Sequence, residues 1–146
     1  MSLFYFSIYL QVILLFYFEM ITLVNLYPWN DLSNYTKKEK WMEALINGFV
    51  IFMSLCLYLT HIKILMFIAV VCYFVFFIMQ LLVWWLPYLT GIHLKQFPKN
   101  LYDLHFRKTF KILPPIKDNI IPDAQHNVLQ LITMATLLVS AISLFH

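Results

Sequence analysis

The 146-residue chain is 62% apolar and only 12% charged, with a formal net charge of +3. That balance excludes an ordinary soluble domain, because a core of this size cannot hide so much apolar surface. A hydrocarbon layer needs about 20 apolar residues per crossing helix, and four such stretches alternate with polar segments. The expected fold is an all-α integral membrane protein forming one domain, a four-transmembrane-helix bundle. Its spans lie at about residues 3–26, 41–60, 64–86 and 124–145, with a basic amphipathic interfacial segment at about 92–118 between helices 3 and 4.

The first span holds Gln11 and Glu19 as its only strongly polar interior residues, and Tyr27-Pro28-Trp29-Asn30-Asp31 stops it with a proline and a turn. It has no basic leader and no small-residue cleavage site, so it is expected to stay in place. Thr36-Lys37-Lys38-Glu39 has the capping-box pattern, in which hydroxyl and carboxylate satisfy each other's free amides, so the second helix starts near Lys37. Its inward face is expected to carry Glu43, Asn47, Val50, Ser54 and His61.

His61-Ile62-Lys63 is so short a connection that the second and third helices must be antiparallel neighbours. Gln80 is the one strongly polar interior residue of the third span, which closes in Trp84-Trp85-Leu86-Pro87-Tyr88. With Trp29 and Trp41, this cluster places all four tryptophans at one headgroup level. Cys56 and Cys72 read as small buried hydrophobes, since neither has a metal-ligand or CxxC spacing.

Six of the ten basic residues fall between Gly91 and Asp118. Written as a helix after Pro98, the segment puts Asp103, Arg107, Lys108 and Lys111 on one side and Tyr102, Phe106, Phe110 and Leu113 on the other, Leu104 being misplaced. Such a helix lies in the headgroup plane, with Lys95, Lys99, Arg107, Lys108 and Lys111 facing anionic lipid headgroups. Nucleic acid is not the expected partner, because the aromatic residues sit apart from the basic ones. Pro114-Pro115 ends the segment, and Pro122 is pre-set for the start of the last helix.

At 100° per residue the fourth helix has Asp123, His126, Gln130, Thr133, Leu137, Ser140 and Ala141 on one face. Val128, Leu131, Ile132, Ala135, Leu138, Val139 and Ile142 lie opposite, on the side expected to meet lipid. The connections holding Lys37, Lys38 and Lys40 and the six later basic residues lie on one side, against Lys63 alone on the other. The positive-inside rule then places both termini on the non-cytoplasmic side of a plasma or organellar inner membrane. The acceptor-like tripeptide Asn34-Tyr35-Thr36 falls on the side where it is not glycosylated.

Helical rise puts Glu19, Glu43, Asn47, Gln80, His126 and Gln130 in the same cytoplasmic half of the bundle, with Asp123 beside them. Carboxylates are costly in a bilayer, so Glu19 and Glu43, with His126, are the candidate catalytic residues. Asn47, Gln80, Asp123 and Gln130 are candidate pocket or helix-bridging groups. No cofactor or metal is expected, since there is no Gly-rich phosphate loop, GxSxG, HxxxH or HExxH.

Three functions fit these features. A non-enzymatic accessory, immunity or assembly factor, contacting a larger membrane protein or a copy of itself, suits the small size and the lack of a catalytic motif. The first alternative is a membrane enzyme acting on a lipid or isoprenoid through a cytoplasm-facing polar pocket. The second is a small proton-coupled carrier working as an oligomer through Glu19.

Overall fold

The computed structural model describes residues 2–145, and within them the chain is helical with no strand. In chain order the helices are α1 (Leu3–Leu23), α2 (Lys37–Leu59), α3 (Lys63–Thr90), the short α4 (Lys99–His105) and α5 (Ala124–Leu144). All but α4 are long and apolar enough to cross a membrane. They form a ring in the order α1, α2, α3, α5, each backbone lying close to its two neighbours, with only side chains meeting across the diagonals. The ends of α1 and α3 and the starts of α2 and α5 therefore share one end of the bundle, the loop end. The turn at Thr60–Ile62 marks the opposite, hairpin end.

Helix boundaries are set by local chemistry. α1 stops at Leu23, short of the expected Leu26, because Asn30 reaches back to its unpaired carbonyls. The fully buried Asn30 amide donates to the Ile21 carbonyl at 2.7 Å and the Val24 carbonyl at 2.8 Å, ending the helix in the side chain's own hydrogen bonds. At the start of α2 the capping box forms as expected, Thr36 Oγ1 accepting from the Glu39 amide at 3.2 Å and Glu39 Oε2 from the Thr36 amide at 2.7 Å. Such a cap stabilises a helix start by about 1 kcal/mol.

α3 runs past the expected Leu86 to Thr90 by way of a π-helical turn at Leu81–Trp85. A π turn holds more residues than an α turn and so rotates the helix on its C-terminal side. Here it swings Trp84 inward, to 4% exposure, and lets the Trp85 indole donate to Gln130 Oε1 at 2.6 Å. The tryptophans share the loop end, yet only Trp41 is largely exposed; Trp29 is tied by its indole to the Tyr17 hydroxyl at 3.1 Å. Gly91 closes α3 in the left-handed region, at φ 76°.

The inner face of α5 overlaps the one its periodicity predicts but is turned from it. Asp123, Gln130, Thr133 and Ser140 are buried as expected, Gln125, Leu129, Thr136 and Ser143 are buried beside them, and His126, Leu137 and Ala141 are only half-buried, while Leu131, Leu138 and Ile142 are exposed. On α2 the buried stripe is Ala44, Gly48, Ile51, Leu55 and Tyr58, turned by one position from the expected face, although Ser54 is buried too. Glu43, Asn47 and Val50 consequently stand at the edge of the α2 stripe, and His61 is exposed in the turn. At mid-bundle a polar knot replaces apolar packing. Gln11 Nε2 donates to Ser7 Oγ at 2.9 Å, the Tyr73 hydroxyl donates to Gln11 Oε1 at 3.0 Å, and Ser7 Oγ lies 2.7 Å from Ser140 Oγ. Hydrogen bonds between apolar helices contribute roughly 0.6 kcal/mol each, so this knot helps to hold α1, α3 and α5 in register.

The long amphipathic helix expected after Pro98 is reduced to the seven residues of α4. Thr109 and Lys111 fold the chain back on the last turn, the Lys111 ammonium donating to the Phe106 carbonyl and, at 2.6 Å, to Thr109 Oγ1. Side-chain bonds of this kind offer the backbone an alternative to further helix. The apolar side of the segment is divided: Tyr102 and Phe106 are buried against Trp84 and Ile120, whereas Phe110 is exposed.

Gly48 lies beneath the tip of Glu19 where α1 meets α2, and a methyl group there would collide with the Glu19 carboxyl. Gly48→Ala is expected to fall short of the gain of about 1 kcal/mol that Ala brings to a helix interior, because the Glu19 carboxyl must move, and to recover that gain when Glu19→Ala makes room. A double-mutant cycle of unfolding in detergent checks this, equal effects in both backgrounds being the contrary result.

Candidate functional site

Glu43, Asn47, Gln80 and His126, which are distant in sequence, line a single cavity of about 540 Å³ at the loop end. Its deeper wall is apolar, with Phe18, Ile21, Phe76 and Leu129 among its residues. A smaller cavity lies under Phe97, Leu101 and His105 and shares Tyr35, Glu43, Val83, Trp84, Phe106 and His126 with the first. Together they form one cleft, running from the α4 side into the bundle. Its rim residues Val50 on α2 and Val71, Val75 and Met79 on α3 are 40–54% exposed. The cleft therefore opens sideways between α2 and α3.

His126 stands at the junction of the two cavities and is the best-supported side chain there. Its Nδ1 lies 2.6 Å from Asp123 Oδ1, which also accepts the His126 amide at 3.1 Å as the N-cap of α5. A carboxylate only accepts, so Nδ1 carries the proton and Nε2 of the neutral ring is left as a base on the cleft side. Trp84 fixes the ring from one face, with centroids 4.0 Å apart, and Phe106 meets it edge-on at 5.2 Å.

Asp123 has no solvent exposure. Its Oδ2 accepts from Thr109 Oγ1 at 2.8 Å and from Gln125 Nε2 at 3.3 Å. Burial pushes its carboxyl up, but His126, Thr109 and Lys111 together outweigh that and hold it below the usual carboxylate range. Asp123 is the kind of buried acid that orients a histidine and stabilises its protonated form. The Lys111 ammonium is itself pushed down by burial, an effect that nearby Asp123 opposes. At the outer end of the cleft His105 lies over Tyr35, ring centroids 3.9 Å apart, and burial lowers the His105 pKa while raising that of Tyr35.

The structure divides the polar residues singled out in the sequence. Glu43, Asn47, Gln80 and His126 line the cleft, and Asp123 supports it from behind. Gln130 serves as a bridge to Trp85, outside the cleft. Glu19 sits on the α1–α2 seam against Gly48 and does not line the cleft, because its position on α1 turns it toward the outer side of that contact. The basic residues also lie apart. Lys99 pairs with Asp118 at 2.6 Å, Lys111 turns back on its own loop, and Lys95, Arg107 and Lys108 are exposed.

Sequence reasoning missed Gln125, Thr109 and Tyr35. Gln125 is one position off the polar face of α5, and Thr109 has no periodic context; only the folded loop brings it to Asp123. Among the described residues, no group of three or more His, Cys, Asp or Glu side chains is placed to hold a metal ion. No family model matches the chain, and neither a curated protein nor a solved structure does so.

Because the Asp123 carboxyl is held low in the folded state, its contribution to stability is complete above its unfolded pKa of about 3.9 and is lost as pH falls through the lower folded value. The thermal midpoint in detergent is expected to drop on the acid side of about pH 4, and Asp123→Asn to flatten part of that drop while lowering stability at neutral pH. An acid limb unchanged by Asp123→Asn would contradict the assignment.

Proposed function

We propose that this chain is an integral membrane enzyme acting on a single-chain lipid or isoprenoid, drawn from the cytoplasmic leaflet through the gap between α2 and α3. The carrying observation is the convergence of Glu43, Asn47, Gln80 and the Asp123-bound His126 on one laterally open, otherwise apolar cleft. The apolar depth accommodates a hydrocarbon tail, and the polar groups meet the other end of the molecule at the bundle's loop end. His126 Nε2 acts as general base on the polar end of the substrate, with Glu43 as the second acid–base group.

In this reading both termini are non-cytoplasmic, and the exposed Lys95, Arg107 and Lys108 rest on anionic headgroups, holding the loop end at the membrane surface. The accessory, immunity or assembly role rests on the small size and the lack of a catalytic motif, whereas the cleft is a positive feature that favours the enzyme. A carrier built on Glu19 draws no support from the cleft, since that carboxyl lies outside it.

Two measurements test this proposal. Lipid extracts from cells lacking the chain are expected to gain a substrate that wild type removes and His126→Gln, at normal abundance, does not; extracts identical in all three would overturn it. A cysteine placed at Ser33 is expected to react with an impermeant maleimide only after the membrane is opened, and labelling of intact cells would invert the topology.

A further inference from the structure

The outer of the two cavities, about 440 Å³ in volume and lying under α4, is walled by two kinds of group. One wall is aromatic. Trp84, Phe97 and Phe106 stand with centroids 5.0–5.8 Å apart and interplanar angles of 44° to 83°, and Tyr35 meets Phe106 edge-on at 6.4 Å. The other wall belongs to α2, where Glu39 and Glu43 lie one turn apart and so share a face.

Neither glutamate has a counter-ion within the protein, the ion pairs among the described residues being Lys99 with Asp118 and His126 with Asp123. Glu39 gives only Oε2 to the Thr36 cap; those bonds hold its carboxyl below the usual range, so it stays ionised with Oε1 free. Like charges one helical turn apart repel each other, and a cation beside them removes that cost. Every basic residue except Lys63 belongs to the loop end, yet none lines either cavity. Burial keeps His105 toward its neutral form, and behind the wall the charge of Asp123 is offset by nearby Lys111. The cavity thus combines negative charge and aromatic surface with no resident cation, the setting in which an organic ammonium group is held.

We propose that the outer cavity seats the ammonium head, protonated or quaternary, of a single-chain amphiphile whose tail lies in the deeper apolar cavity. This rests on the cleft being a lipid site, and it adds the class of head. Glu39 and Glu43 supply the charge, and the rings supply a polarisable wall for a weakly hydrated cation. The head lies next to His126, which both cavities share. A phosphate or sulfate head is repelled by the same two carboxylates, and the basic residues outside serve the membrane surface rather than the substrate.

The test uses the whole chain in nanodiscs of digalactosyl diacylglycerol, a lipid with no ammonium group. Three tritium-labelled probes of one chain length are compared: an alkyltrimethylammonium, its uncharged tert-butyl isostere and the alkyl sulfate, with binding to empty discs subtracted. Surface charge at the loop end attracts the sulfate, so a preference for the cation reports the cavity. The ammonium is expected to bind at least about tenfold more tightly than the isostere, the scale of a desolvated cation–π contact, and the sulfate to bind most weakly. Glu39→Gln combined with Glu43→Gln is expected to bring the ammonium to the level of the isostere and to leave the isostere unchanged. Glutamine at position 39 still completes the capping box, and retained isostere binding shows that the cleft is folded. Should that variant lose the isostere as well, the wild-type comparison alone decides. A wild-type protein that binds the ammonium no more tightly than the isostere, or a preference that survives the double substitution, overturns the ammonium-head assignment and leaves the lipid cleft standing. Saturable binding of none of the three overturns both.

Discussion

The loop end of this bundle depends on the carboxylate of Asp123. It has no contact with solvent, yet within one residue it caps α5, sets the proton on His126 and receives Thr109 and Gln125. A charge so deeply buried is tolerated only when its lone pairs are occupied. This condition draws the 106–111 loop down onto the start of α5. Backbone bonds take the same path, the Phe110 amide donating to the Pro28 carbonyl and the Ala124 amide to the Phe110 carbonyl, both at 2.8 Å. Two connections far apart in sequence are thus tied together at the carboxylate.

Once these connections are tied, the aromatic residues have somewhere to go. The π turn of α3 delivers Trp84 to the His126 ring, and Phe106 comes in from the tied loop to meet both. Asn119 fastens the far part of the loop by donating to the Tyr88 carbonyl at 2.8 Å, while the Tyr88 hydroxyl donates to the Pro114 carbonyl at 2.9 Å. Histidine, tryptophan and phenylalanine are therefore held by separate elements, so the ring that faces the cleft is pre-positioned rather than free to rotate. The hairpin end lacks this polar framework and is filled by Tyr58, Met66 and Ala69.

Much of the helical framework was legible because its signals are local. The capping box at Thr36 and Glu39, the short turn at His61 and the polar face of α5 each depend on residues within a few positions of one another. The common depth of Glu43, Asn47, Gln80 and His126 came from helical rise alone, and the cleft gathers all four. What stayed hidden depended on long-range closure. Nothing in the order of residues says that Asn30 will end α1, that a π turn will rotate Trp84, or that Thr109 will reach Asp123. Glu19 shows the limit of depth as a criterion: it shares the level of the cleft residues, but its angular position and the notch at Gly48 put it on another surface. Gln11 was visible as a polar residue in an apolar span, but its partners Ser7, Tyr73 and Ser140 emerge only when three helices meet.

The rim of the cleft also limits what can enter it. Three of its four exposed residues, Val50, Val71 and Val75, are β-branched, and in a helix such a side chain is confined almost wholly to one rotamer. The passage between α2 and α3 thus has stiff jambs, with Met79 as its single pliable edge. Its width is set by the spacing of the two helices, not by side-chain rearrangement. If the cleft takes a lipid as proposed, such a slot admits a single tail more readily than a doubly chained molecule.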